Sequence, residues 1–183
     1  MHQKPLTDER LMKMSAEDDR TSFDLLVRRY ARPLMTLINR MTGKHHRSED
    51  IFQEAILSCW KHRGQYEFPR PFKPWLYRIA INQCRQVYRR KEIATSNEEA
   101  VESEAATSGD PEDSVLRTES AAQIKAAVAR LPEHQRSVVI LRIWNGMSYR
   151  EIAETLERAE PTVRSYMHHA LKSLREILGP QGL

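Results

Sequence analysis

Nine lysines and arginines lie within residues 61–91 against a single acid, Glu67, and Tyr66, Phe68, Phe72, Trp75, Tyr77 and Tyr88 are interleaved with them. Cations draw phosphates in by releasing condensed counterions, and aromatic faces stack unpaired bases at roughly 1–3 kcal/mol each. The stretch therefore has the composition of a surface for single-stranded nucleic acid. A solvated charged face over an aromatic core is the alternative, and Trp75 and Tyr77 fit that core role better than a stacking one. Within it, Pro69, Pro71 and Pro74 stiffen residues 64–74 and keep them from forming a regular helix.

A second group lies near the C-terminus. Ser148 and Glu151 have the spacing of a capping box, with Met147 and Ile152 as its hydrophobic staple. That predicts a short helix to Leu156, four connecting residues 157–160, and a longer helix opening at Pro161. Short helix, tight turn and long helix make a helix-turn-helix. Ala153 is small where the helices would cross, and Glu157 stands where a turn glycine is usual. Val163, Tyr166 or Met167, Ala170, Leu174 and Ile177 or Leu178 would face inward, leaving Arg164, Ser165, His168, His169 and Lys172 outward. Arginine bonded bidentately to guanine is the commonest specific base contact, so Arg164 is the candidate reader. A plain helical hairpin with a solvated face is the alternative. A third group, Asp50, Gln53 and Glu54, stands at i, i+3 and i+4 and shares one exposed helical face. It suits a basic protein partner, or else only caps a helix N-terminus.

The elements that must position these groups are helical throughout. Phe23, Leu26, Tyr30, Leu34, Leu37, Ile38 and Met41 predict a helix that Pro33 kinks or breaks and Gly43 ends. Ser48 is a good N-cap for a second, burying Ile51, Phe52, Ala55, Ile56, Cys59 and Trp60. A third spans about 75–91, burying Leu76, Ile79 and Ala80. Leu116, Ile124, Val128 and Leu131 mark a fourth that Pro132 closes, and a fifth covers 133–144. Only 6 glycines occur in 183 residues, which disfavours glycine-punctuated sheets and glycine-rich phosphate loops.

Charge divides the chain. Residues 1–91 hold 19 basic and 10 acidic groups, 92–120 hold 1 and 9, and 121–183 hold 9 and 6. The acidic middle is short of large apolar residues and cannot bury enough surface to offset ordering. The expectation is an all-α protein with two small helical domains joined by a flexible acidic linker: a lead at 1–19, possibly disordered, a first domain at 20–92, the linker at 93–115 and a helix-turn-helix domain at 116–183. The N-terminus lacks a signal peptide's apolar core and no apolar run reaches roughly 18 residues, so the expected location is the cytoplasm, without membrane insertion. Cys59 and Cys84 give neither a metal-binding CxxC nor a disulfide framework. His45-His46 and His168-His169 lack completing ligands, so no metal or other cofactor is expected.

In order along the chain, residues 23–30 (FDLLVRRY), 49–60 (EDIFQEAILSCW), 74–82 (PWLYRIAIN) and 131–142 (LPEHQRSVVILR) followed by 146–153 (GMSYREIA) carry a resemblance. Each is weakly specific alone; together, across an acidic linker, they are similar to the extracytoplasmic-function (ECF) sigma factors, the two-domain form of the bacterial RNA polymerase sigma family. The resemblance covers nearly all of 20–178. It implies a transcription initiation factor, not an enzyme. Its partners would be core RNA polymerase, through the β′ clamp coiled coil and the β flap, promoter DNA and an anti-sigma factor. It implies polymerase docking by Asp50, Ile51, Gln53 and Glu54, and melting of the −10 element by Phe68, Arg70, Phe72 and Lys73 with Trp75, Arg78, Asn82 and Arg85 behind them. The −35 element would be read by Arg164, Ser165, His168, His169 and Lys172. The chain departs from that family in its stiff, apolar 68–72 loop, and in having Tyr166 and His169 where relatives often place arginines.

Rival classes explain less. A conventional DNA-binding regulator accounts for 131–178 but not for the acidic stripe or the basic aromatic stretch. A pure adaptor between polymerase and a regulator is a further alternative. For an enzyme, the chain has no GxxxxGK, HExxH, nucleophile elbow or Cys/His cluster.

Overall fold

A computed structural model describes residues 6–43, 47–95 and 115–179, with side chains described for all but 88–95 and 115–120. Among the described residues every regular element is helical. They are α1 (Asp8–Ala16), α2 (Arg20–Thr42), α3 (Ser48–Lys61), a 3₁₀ turn (Arg63–Gln65) and α4 (Phe72–Thr95), then α5 (Val115–Arg130), α6 (Glu133–Val139) continued by a π turn (Ile140–Trp144), α7 (Tyr149–Leu156) and α8 (Glu160–Leu178). Most of the expected acidic linker, 96–114, lies outside the described residues. Residues 44–46, and with them His45 and His46, also lie outside the described residues.

The stretch 1–19, expected as a lead, contains α1. Thr7 caps it by accepting from the Arg10 amide at 3.3 Å, Asp8 and Glu9 occupy the first turn, and Leu11, Met12 and Ser15 are buried. The helix packs along α2. Pro33 does not break α2, which continues as one helix of 23 residues. Its buried face continues past the proline through Leu34, Leu37, Ile38 and Met41. Full burial of each such side chain stabilises by roughly 1.5–3 kcal/mol, which together outweighs the roughly 3 kcal/mol of a helix-interior proline. Gly43 then takes the left-handed conformation at φ 65° and its amide closes on the Asn39 carbonyl. Ser48 is not the N-cap of α3; it is buried as the first helical residue, and Arg47 precedes it without a side-chain cap.

α3 and α4 pack together, and both pack on α2. In the second half α6 and α7 pack on α8. The capping box is present in full: Ser148 Oγ accepts from the Glu151 amide at 3.2 Å, and Glu151 Oε2 accepts from the Ser148 amide at 2.7 Å. The two halves also touch. α7 packs on α4, the π turn packs on α2, and the buried side chains form one continuous apolar cluster.

Candidate nucleic-acid and partner interfaces

α4 begins three residues earlier than its apolar pattern predicts, because a distant side chain caps it. Glu9 Oε1 accepts from the Phe72 amide at 3.3 Å, which anchors the start of α4 to α1. Asp8, its neighbour, accepts from Arg29 Nη1 at 2.7 Å and from the Tyr30 hydroxyl at 2.6 Å. Burial, with that carboxylate beside it, pushes the Tyr30 hydroxyl well above its ordinary range. The preceding loop is held by the Tyr66 hydroxyl, which donates to the Arg70 carbonyl, and by the Arg70 amide on the Glu67 carbonyl at 2.8 Å.

One residue expected on the strand surface lies in the core instead. Phe72 is 1% exposed and its ring packs at 5.4 Å from Tyr30, 6.2 Å from Tyr66 and 6.1 Å from Trp75. It supports the loop from below and offers no face to a base. Trp75 is half-buried in the same aromatic group, 5.5 Å from Tyr66. Phe68, by contrast, is 49% exposed, with the Lys13 ammonium 5.3 Å from its ring centroid. Arg70 and Asn82 are exposed, Arg70 pairing with Glu67 at 3.2 Å. Lys73, Arg78 and Arg85 are half-buried, and each meets the C-terminal half. Lys73 Nζ donates to the Asn145 carbonyl at 2.9 Å, Arg78 pairs with Glu157 at 2.6 Å, and Arg85 pairs with Glu133 at 3.0 Å. Sequence reasoning had no signal for these partners, 48 to 79 residues away.

Asn145 sits at the junction. Its amide donates at 3.2 Å both to the Pro33 carbonyl and to the Tyr77 hydroxyl. Tyr77 is core, as its apolar neighbours favoured, and burial pushes its hydroxyl up to about 12, partly offset by the Asn145 amide. The Arg40 guanidinium lies 4.1 Å from the Trp144 ring centroid, and Arg136 Nη1 donates to the Met41 carbonyl at 3.3 Å.

On α3, Asp50, Gln53 and Glu54 are exposed side by side, while Ile51 is 3% exposed and belongs to the core. The apolar member of the outward face is instead Leu57, 61% exposed, at i+3 from Glu54 and i+7 from Asp50. That spacing was visible in the sequence and was the one signal available for it.

The helix-turn-helix is formed by α7 and α8. Val163, Met167, Ala170 and Leu174 are buried, and Arg164, Ser165, His168, His169 and Lys172 are all exposed. Glu157 takes the turn in the left-handed region at φ 52°. Arg164 is held in place by its neighbours: Nε reaches Glu160 at 3.0 Å and Nη2 at 2.5 Å, and the guanidinium lies 4.4 Å from the Tyr149 ring centroid. His134 packs at 4.5 Å on Tyr166, tying α6 to α8. His168 and His169 stand with ring centroids 5.7 Å apart.

Sigma-70 region 2 matches residues 26–93 and sigma-70 region 4 matches residues 121–174. The chain is 31% identical over 183 residues to the RNA polymerase sigma-H factor of Pseudomonas aeruginosa, covering 94% of each. It is 30% identical over 176 residues to the ECF RNA polymerase sigma factor SigW of Bacillus subtilis, covering 91% of this chain and 94% of that one. Its fold is similar to that of the sigma factor RpoE of Bartonella quintana, solved in complex with the anti-sigma factor NepR: TM-score 0.73 at 23% identity, over 87% of this chain and 98% of that one.

Proposed function

The chain belongs to the extracytoplasmic-function sigma factors, and from that premise we propose a division of labour among its three surfaces in directing core RNA polymerase to promoters. The exposed face of α3 docks on the polymerase β′ clamp. Asp50, Gln53 and Glu54 set register and association rate against a basic partner, and Leu57 supplies apolar burial at its edge. The loop and α4 take the −10 element. A base's pairing edge cannot be read inside the stack, so a splayed base held on the exposed Phe68 ring, with Arg70, Lys73, Arg78, Asn82 and Arg85 on the phosphates, repays the unstacking. Phe72, Trp75 and Ile51 hold these surfaces in place without touching a partner.

The C-terminal helix-turn-helix reads the −35 element, with Arg164 in the first turn of α8 nearest the base edges and Lys172 two turns on, near the backbone. For Arg164 to grip a guanine it must give up Glu160 and the Tyr149 face, so base recognition here is an exchange of partners. The β flap and an anti-sigma factor complete the set of protein partners. No described helix is long and apolar enough to cross a membrane, and the site of action is that of the polymerase, the cytoplasm. The observation that carries this reading is the order of the two matched regions, each presenting an exposed charged face. Run-off transcription with purified core polymerase over a genomic promoter library tests it. Promoter-specific transcripts should appear only when this protein is added, and their absence would overturn it.

A further inference from the structure

The cations of α4 that the promoter reading assigns to the −10 strand are occupied in this conformation by the protein itself. Arg78 and Arg85, seven residues apart on one face, meet Glu157 at 2.6 Å and Glu133 at 3.0 Å, and Lys73 meets the Asn145 carbonyl at 2.9 Å. The acids come from a segment that is otherwise basic. Of its six acids, Glu151 serves the capping box, Glu154 pairs with Arg150 and Glu160 pairs with Arg164, all within their own helices. Glu133 and Glu157 reach across instead. Glu157 does so from a left-handed turn position, φ 52° and ψ 49°, that glycine occupies more readily. A non-glycine residue held there calls for a function, and its carboxylate has one in Arg78.

We propose that the helix-turn-helix is an intramolecular latch: Glu157 and Glu133 stand in for strand phosphates on Arg78 and Arg85 and hold the −10 surface shut until the two halves part. The closure is selective. It leaves Asp50, Gln53, Glu54 and Leu57 on α3 exposed, and with them the whole outward face of α8. Polymerase can therefore dock on the closed form, whereas a single strand competes with the latch acids. This rests on α4 being the strand surface.

The test uses the full chain carrying Glu157→Gly and Glu133→Gln. Glycine suits the turn, and glutamine keeps an oxygen for the Ser137 hydroxyl, which donates to Glu133 at 3.1 Å. A charge-matched control carries Glu154→Gln and Glu176→Gln. Binding of a fluorescein-labelled random single-stranded DNA of about 12 nucleotides is followed by anisotropy, and size by small-angle scattering. The latch variant should bind roughly three- to tenfold tighter than the parent, and the control within about twofold, since each exposed ion pair holds only a modest share of the closure. The radius of gyration should rise from about 16 Å, the value for a compact chain of this length, by several ångströms. An equal gain in the control, or an unchanged radius, overturns the latch; continued run-off transcription by the variant then leaves the promoter reading standing. A larger radius with no gain in strand binding overturns the assignment of the strand to α4, and the competition with it.

Discussion

Phe68 and Phe72 flank the same stiff loop, and their burial predicts opposite phenotypes. Truncating Phe72 to alanine empties a site walled by Tyr30, Tyr66 and Trp75, whose rings lie 5.4–6.2 Å away. Phenylalanine-to-alanine changes at such sites cost about 3–5 kcal/mol, through lost transfer free energy and a cavity that only partly relaxes. For a chain of this size each kcal/mol lowers the melting temperature by roughly 2–4 °C, so the expected loss is roughly 6–20 °C. Phe72→Leu, which keeps most of the volume, should lose less than half of that. Phe68→Ala removes a half-exposed ring and should shift stability by under about 0.5 kcal/mol. Its effect belongs to promoter opening: loss of one stacked base, roughly 1–3 kcal/mol, seen as weaker permanganate reactivity of unpaired thymines on duplex templates and restored on a premelted bubble. The assays are calorimetry and open-complex footprinting on the same preparations. A Phe72→Ala protein that melts like the parent, or a Phe68→Ala protein equally defective on duplex and bubble, would refute the assignment of one ring to support and the other to the strand.

Asp50→Lys combined with Glu54→Lys should abolish co-purification with core polymerase while helicity stays unchanged, because like charges facing each other across an interface cost several kcal/mol; undiminished co-purification would remove α3 as the docking face. Arg164→Ala should cost roughly 1–3 kcal/mol and relax discrimination at one −35 position, whereas Lys172→Ala should weaken all sequences evenly and lower the salt slope by about one, as a binding series over variant −35 duplexes would read. Ser148→Ala should lose about 0.5–2 kcal/mol in denaturant titration, since it breaks the capping box that starts α7. Tyr77 gives a pH signature. Its folded value, about 12, lies above the ordinary 10, so its contribution is complete below pH 10 and is lost as pH rises toward 12. Tyr77→Phe should flatten that part of the alkaline unfolding curve.

What could be read from the sequence was what is local. The Ser148–Glu151 box, the Gly43 cap and the inward face of α8 each depend on residues within one or two turns, and the structure has them as their spacing predicts. The apolar spacing of α3 likewise put Ile51 inward and left Leu57 off the buried face, as the structure has them. What did not fit was the docking role that the resemblance gave Ile51, since a side chain packed under the acidic stripe offers a partner no surface. α1 carried a local signal, a threonine followed by two acids, but its reason to stay folded is remote: Asp8 on Tyr30 and Glu9 on the Phe72 amide. The burial of Phe72 follows from the same contacts, so the aromatic stretch splits into support and exposed surface along a line that no spacing within 61–91 draws.

The cross-domain pairs carry this furthest. Nothing near Glu157 explains a glutamate in a left-handed turn, and nothing near Arg78 explains a half-buried guanidinium. Each is an anomaly by local rules, and each is the other's explanation across 79 residues. An exposed pair of this kind contributes under about 1 kcal/mol. Closure is therefore finely balanced: the two pairs share it with the half-buried contacts, the Asn145 amide between Pro33 and Tyr77 and the Arg40–Trp144 stack, and losing both pairs tips it open. The charges decide what closure excludes. An apolar seam would answer to no particular ligand, whereas acids set on the α4 arginines make the closed form answer to a phosphate chain.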